Sequence, residues 1–253
     1  MTNVLVVNNV YKTFHVGGKR IEAVRNVSLV VGEGEAVGLV GESGCGKSTL
    51  AKLITRLETC DGGEIILCGE NMSRLSGSAL RRAYRNVKMI FQQPRSSFDP
   101  RLTIGASLWE ALKVTGLPKK RRSEEIGRLL GEVGRDPSYA KAKPMELSGG
   151  ECQRAAIARA IAAKPRLLIC DECTSALDVS VQAQIMDLLR QLRESHNMSF
   201  LFISHDLALV SSFCDRVYVM KDGEIVESGK TLQVINVPRN SYTKALIASV
   251  LLA

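Results

Sequence analysis

Three short runs in this chain are apolar almost throughout: Ala36-Val37-Gly38-Leu39-Val40, Leu167-Leu168-Ile169-Cys170 and Phe200-Leu201-Phe202-Ile203. Runs of this length, bounded by turn or charged residues, predict strands buried on both faces. Residues 3–10 mix apolar and polar positions and read as a further strand. Ile21 to Val31, beyond the turn at Gly17-Gly18, reads as one or two more. Glu64–Leu67 and Val87–Phe91 are short strand patterns, and Val217–Met220 and Glu224–Val226 flank Asp222-Gly223, a hairpin signal. Helical periodicity occupies Ser48–Leu57, Thr103–Val114, Arg122–Val133, Gln153–Ala160 and Val179–Glu194, and two short helical stretches close the chain. No strand pattern falls between Phe91 and Arg166. Residues 94–158 therefore read as an all-helical subdomain set into an α/β core formed by 1–93 and 159–253.

Composition narrows the classes. With 253 residues, 45% of them hydrophobic and 24% charged, the chain reads as an ordinary soluble globular protein. The net charge of +8 suits anionic ligands, but the basic residues are scattered. The densest run, Lys119-Lys120-Arg121-Arg122, reads more simply as a solvated helix start than as a nucleic-acid patch. Only 5% of residues are aromatic, too few for base-stacking platforms, so no nucleic-acid partner is expected. No apolar stretch reaches membrane-spanning length and no signal-peptide pattern opens the chain, so a cytosolic protein is expected. The seven cysteines lack a disulfide-framework spacing and read as reduced thiols, with Cys170-x-x-Cys173 serving neither metal nor redox chemistry.

The stretch Gly41-Glu42-Ser43-Gly44-Cys45-Gly46-Lys47-Ser48-Thr49 has the pattern G-x-x-x-x-G-K-S between a predicted strand and a predicted helix. That context marks a phosphate-cradling loop. Gly41, Gly44 and Gly46 free the backbone to bring N–H groups to phosphate oxygens, and the helix start adds its positive dipole end. Lys47 is placed to reach the β- and γ-phosphates, and Ser48 to ligate Mg²⁺.

Other candidates lie at strand ends, where open α/β sheets place their ligands. Asp171, at the tip of Leu167–Cys170, suits a Mg²⁺ held through water, and Glu172 suits a general base acting on an attacking water. His205, after Phe200–Ile203, reads equally as a γ-phosphate contact or as a structural histidine. Leu147-Ser148-Gly149-Gly150-Glu151 exposes N–H groups at a helix start. A capping box between Ser148 and Glu151 is a locally sufficient explanation there. Phe14 has two readings, an adenine-stacking ring or a half-buried strand aromatic, and the residues alone favour the second.

Taken together, and in this order along nearly the whole chain, these motifs resemble the ATP-binding cassette ATPases. Gly41–Thr49 is similar to Walker A, Leu167–Asp171 to Walker B and Leu147–Glu151 to the LSGGQ signature. Two departures stand out: Glu151 replaces the signature's glutamine, and Cys173 takes the place of the usual proline after Glu172. The resemblance implies an α/β P-loop NTPase core with a parallel sheet, an N-terminal antiparallel β subdomain and an inserted α-helical subdomain. It implies Phe14 as the adenine-stacking aromatic. Gln92 becomes the glutamine linking core and helical subdomain, a catalytic residue and a ligand of the Mg²⁺ with Ser48 and Asp171, Glu172 the catalytic glutamate and His205 the switch histidine. It further implies ATP and Mg²⁺ as cofactors. Two ATP molecules are sandwiched in a head-to-tail dimer, so that Ser148, Gly149, Gly150 and Glu151 complete a site on a second ATPase subunit of the same or different sequence.

Finer resemblance points to importers of the oligopeptide, dipeptide and nickel class. It rests on Phe91-Gln92-Gln93-Pro94-Arg95-Ser96-Ser97-Phe98-Asp99-Pro100-Arg101 and on the tail Asn240-Ser241-Tyr242-Thr243-Lys244-Ala245-Leu246. Ending at Ala253 without a cysteine cluster, the chain is expected among the shorter ATPases of that class. Expected partners are two integral membrane permeases and, indirectly, an extracellular solute-binding protein, with the chain at the cytoplasmic face of the membrane. The alternatives are an export or lipoprotein-release ATPase, or a soluble non-transport member of the family. A GTP switch is excluded by the lack of an N-K-x-D guanine reader. The placement of Cys45 inside the glycine loop yields a direct check. Maleimide labelling of Cys45 is expected to abolish ATP binding, and Cys45→Ala to remove that sensitivity; labelled Cys45 with unchanged ATP affinity refutes the loop assignment.

Overall fold

In a computed structural model, which describes residues 2–251, the chain forms two sheets packed with helices. Strands β1 (Asn3–Val16) and β2 (Lys19–Gly32) form a long antiparallel hairpin around Gly17-Gly18. Two further strands, β4 (Gly62–Leu67) and β5 (Glu70–Asn71), extend it in the order β2-β1-β4-β5. The second sheet contains β3 (Ala36–Val40), β6 (Val87–Ile90), β7 (Leu167–Asp171), β8 (Ser199–Ile203), β9 (Arg216–Lys221) and β10 (Glu224–Lys230), in the order β10-β9-β3-β8-β7-β6. Its strands run parallel except β10, which returns antiparallel through the Asp222-Gly223 hairpin.

The near-continuous apolar runs sit at the centre of this sheet because both of its faces are covered. Every residue of β3, β7 and β8 is buried. Their side chains alternate between two cores. Val37, Leu39, Leu167, Ile169, Leu201 and Ile203 face the antiparallel sheet and helix α1 (Lys47–Ile54). Ala36, Val40, Leu168, Cys170, Phe200 and Phe202 face the opposite side, where α5 (Gly149–Ile161), α6 (Val179–His196) and α7 (Leu207–Phe213) pack. One strand period thus fixes both cores, and α1 is held between the two sheets.

Between β6 and β7 lie α3 (Ile104–Lys113), α4 (Lys119–Glu132), three short 3-10 turns and α5, with no strand among the described residues. Their starts follow local side-chain chemistry. Thr103 accepts from Ala106 N, and Ser148 caps α5. The segment after β6 is tied to α5 by Arg159, whose guanidinium donates to Ser97 O and Oγ at 2.7 Å each and lies 4.1 Å from the Phe98 ring centroid.

The differences from the sequence expectations are local. The strand expected over 3–10 continues to Val16, and 21–31 is one strand rather than two, because the polar alternation of both suits a half-exposed ladder. Helix α1 begins at Lys47 and ends at Ile54, short of Leu57. After β6 the chain takes a 3-10 turn over Arg95–Ser97. Helices α2 (Gly77–Ala83) and α7 were not anticipated, since seven residues give less than two turns of periodicity. Two helices, α8 (Thr231–Asn236) and α9 (Ser241–Leu251), close the chain. Among the described residues no helix is long and apolar enough to cross a membrane.

Phe200 is fully buried, its ring edge-on to Phe213 at 5.2 Å between centroids. Phe200→Ala is expected to destabilise the protein by about 3–5 kcal/mol, read as a lowered midpoint in chemical denaturation.

Candidate nucleotide site

The glycine loop runs from the end of β3 into α1. Gly41 and Gly46 adopt φ of 152° and 108°, and a Cβ at either would lie 2.1 or 2.2 Å from a backbone oxygen, of Met220 and Ala23 respectively. Only glycine fits this close packing of the loop against β9 and β2. Gly44, by contrast, has nothing within 4 Å of a Cβ position and faces open space. Lys47, 4% exposed, donates to Gly41 O at 2.8 Å and Glu42 O at 2.7 Å, with Cys45 Sγ at 3.7 Å. An ammonium has three donors. Two are spent on loop carbonyls, and the third faces a weak sulfur acceptor that a phosphate oxygen readily outcompetes.

Across β8 from the loop stands the tip of β7. Ser48 Oγ donates to Asp171 Oδ1 at 2.9 Å. Burial pushes the Asp171 carboxyl above its usual range, the Ser48 bond opposes this, and the neighbouring charge of Glu172 adds to it. Glu172 takes a left-handed backbone (φ 47°), unusual for a residue with a Cβ, and its N–H donates to Ile203 O at 3.0 Å. That turn brings its carboxylate to Gln92, whose Nε2 donates at 2.9 Å, and within 3.5 Å of His205 Nδ1. Gln92 Nε2 also reaches Ser175 Oγ at 3.4 Å. Cys173 is buried behind this turn.

These groups open on a cavity of about 700 Å³, lined by Ser43–Thr49 together with Gln92 and Glu172. Its remaining wall was not foreseen from sequence: Arg20, Ile21, Glu22, Ala23 and Arg25 of β2, and Asp222-Gly223 of the β9–β10 hairpin. The hairpin braces the loop, with Gly223 N donating to Cys45 O at 3.0 Å and Arg25 N to Gly223 O at 2.7 Å. A second brace comes from α9, where Tyr242 Oη accepts from Glu42 N at 3.0 Å. Tyr242 lies in the tail segment Asn240–Leu246, and no local signal there indicates a partner two hundred residues away. Burial raises the Cys45 thiol above its usual range, against the opposing influence of Lys47.

The other predicted residues stand apart. Phe14 is half-buried on β1, paired in register with Ile21, with the Lys12 ammonium 5.1 Å from its ring centroid; it is not part of the cavity wall. Ser148, Gly149, Gly150 and Glu151 lie at the start of α5, also outside the cavity, with Ser148 and Gly149 exposed. Ser148 and Glu151 form the expected capping box, Ser148 N donating to Glu151 Oε2 at 2.9 Å and Glu151 N to Ser148 Oγ at 3.3 Å.

The residues present fit a nucleoside triphosphate with a small hard cation. The open cradle at Gly44 suits phosphate. Ser48 and Asp171 supply oxygen donors, and a Mg²⁺ site of one or two protein oxygens needs no larger cluster. A glycine loop closed on a lysine, facing carboxylates at the tip of a parallel strand, defines a P-loop nucleoside triphosphatase. The chain belongs to the ATP-binding cassette transporter family: the family model described as "ABC transporter" matches residues 24–175.

Relatives agree. Glutathione import ATP-binding protein GsiA of Pectobacterium atrosepticum is 43% identical over 233 residues, covering 92% of this chain and 37% of GsiA. Oligopeptide transport ATP-binding protein OppF of Haemophilus influenzae is 40% identical over 246 residues, 96% of this chain and 74% of OppF. The chain thus spans well under half the length of GsiA. Among solved structures, the dimeric post-hydrolysis state of the ATP-binding cassette MJ0796 bound to ADP and Pi superposes with a TM-score of 0.79. It is 31% identical, with 90% of this chain and 98% of that one covered. CbiO1 from Clostridium perfringens, 24% identical with a TM-score of 0.81 over 100% of this chain and 96% of its own, shares the fold.

An acid whose folded pKa is raised contributes stability that is present below its unfolded value and lost as pH rises through the folded one. Wherever it is ionised, Asp171 therefore weighs against folding. Without nucleotide, Asp171→Asn is expected to unfold at a higher temperature than wild type at pH 7.5, the gap closing below pH 3.8, the ordinary value for the group. Scanning calorimetry checks this; an Asn variant of equal or lower Tm at pH 7.5 contradicts it.

Proposed function

We propose that this chain is the ATP-hydrolysing subunit of a peptide importer, acting in a head-to-tail pair of ATPases docked on two membrane permeases at the cytoplasmic face. The observation that carries the transport reading is the similarity to OppF along almost the whole chain and three quarters of that protein. GsiA, whose name records import of the tripeptide glutathione, points to the same chemical class of cargo. A solute-binding protein outside the membrane delivers that cargo to the permeases.

The site supports hydrolysis as follows. Lys47, already seated in the loop, turns its remaining donor to the transferred phosphoryl group. Ser48 and Asp171 would hold Mg²⁺, which would supply partial neutralisation of the phosphate charge. Glu172, oriented by Gln92 and faced by His205, takes the proton of the attacking water. His205, its side chain 60% exposed, is free to contact the γ-phosphate. Gln92 lies at the junction of the core, 1–93 and 159–253, with the helical subdomain 94–158, and reports the state of the site to it. Ser148, Gly149 and Gly150, remote from this cavity, bind the γ-phosphate of ATP held by the second ATPase. ATP closes the pair and hydrolysis with phosphate release opens it, switching the permeases. Phe14 supplies the adenine-stacking ring, beside Ile21 at the cavity rim.

Glu172→Gln is expected to bind ATP as wild type does and to lose multiple-turnover hydrolysis by about 10²-fold or more. A filter-binding assay with a phosphate-release assay reads both. The same variant, tagged and solubilised from membranes with ATP present, should co-purify with two integral permeases and a second ATPase. Recovery only with ribosomes or other soluble partners would falsify the transport reading while leaving the ATP site intact.

A further inference from the structure

The start of α5 combines two opposed charges. Ser148, Gly149 and Gly150 form a helix N-terminus, whose dipole favours an anion. Glu151, in the first turn, places a carboxylate there. It accepts from Ser148 N at 2.9 Å, so one of the free N–H groups is already used. The Ser148 backbone, and after it the Tyr139 hydroxyl, hold this carboxyl below its usual range. At neutral pH it is ionised, and an arriving phosphate meets a like charge.

The surroundings answer that charge. Tyr139 Oη donates to Glu151 Oε1 at 2.7 Å. Arg135 Nη1 lies 3.8 Å from the same oxygen, and its guanidinium sits over the Tyr139 ring, 5.4 Å from the centroid. Arg154, three residues after Glu151 on α5, has both head nitrogens engaged, with Val133 O at 2.9 Å and Gln184 Oε1 at 3.1 Å. Asp136, adjacent to Arg135, is turned to Ser138 N at 2.8 Å. Arg135 is thus the cation placed to offset Glu151, on a stacked ring that also fixes the carboxylate's direction.

We infer that Arg135 is a positioning residue of the two-chain ATP site: held on Tyr139, it offsets the charge of Glu151 so that the Ser148–Gly150 loop accepts the γ-phosphate of ATP bound to the second ATPase. The inference rests on the head-to-tail reading above. Arg135 touches no phosphate and acts only through Glu151.

The test uses the assembled transporter, purified with its permeases and second ATPase. Arg135→Ala is expected to lower kcat/KM for ATP about tenfold, and the deficit should shrink as salt is raised. Binding of a fluorescent ATP analogue to the isolated chain, which uses the glycine loop, should be unchanged. Adding Glu151→Gln removes the charge that Arg135 offsets and should restore kcat/KM to within about twofold of wild type. That rescue separates charge compensation from misfolding. An undiminished Arg135→Ala complex, or a diminished one that Glu151→Gln does not restore, overturns the inference. A complex whose hydrolysis is unchanged by Ser148→Arg, in the loop that reading places against the second ATPase's γ-phosphate, overturns the head-to-tail reading itself and the inference with it, and is told apart from failure of the Arg135 step alone.

Discussion

The hydrogen bond from Ser48 to Asp171 joins two parts of the chain that the rest of the site depends on. Ser48 stands in the first turn of α1, directly after the glycine loop. Asp171 ends β7, and β8 lies between them in the sheet. Their meeting at 2.9 Å requires the parallel register of three strands to be correct. Once it is, the phosphate loop, the carboxylates and His205 fall on one edge of the sheet. A slip of one residue in β7 would turn Asp171 to the other face and leave Ser48 without this partner.

The same edge concentrates features that oppose stability. A carboxylate raised by burial sits beside a second carboxylate on a left-handed backbone, and a lysine is enclosed by carbonyls. Each costs folding free energy, and each has a chemical use when a charged substrate is bound. Bracing from elsewhere makes the arrangement tolerable: the β9–β10 hairpin holds Cys45, α9 holds Glu42 through Tyr242, and β2 packs against Gly46.

Much of this was legible in the residues. The glycine loop, the Walker-B-like strand tip and the capping box at Ser148 are contiguous motifs. Their geometry follows from strand, turn and helix preferences within a dozen residues. The cavity wall formed by Arg20, Ile21, Arg25 and Asp222-Gly223 was not legible, since these are ordinary residues of a half-exposed hairpin until the two sheets pack. Neither was Tyr139, whose bond to Glu151 depends on how the helical segment folds back on α5.

The sequence by itself determined the local elements, the burial of the central strands on both faces and the identity of the phosphate-binding loop. All of these arise from periodicity and turn chemistry acting over short spans. Only the tertiary structure decided which distant groups meet: Ser48 with Asp171, Gln92 with Glu172, Glu42 with Tyr242, Arg135 with Tyr139 and Glu151. It also decided which predicted groups stay apart, with Phe14 and the Ser148 loop outside the cavity that holds Lys47. Side-chain preferences fix a strand's faces. The neighbour across those faces is set by sheet order, register and helix packing, which depend on the whole chain at once.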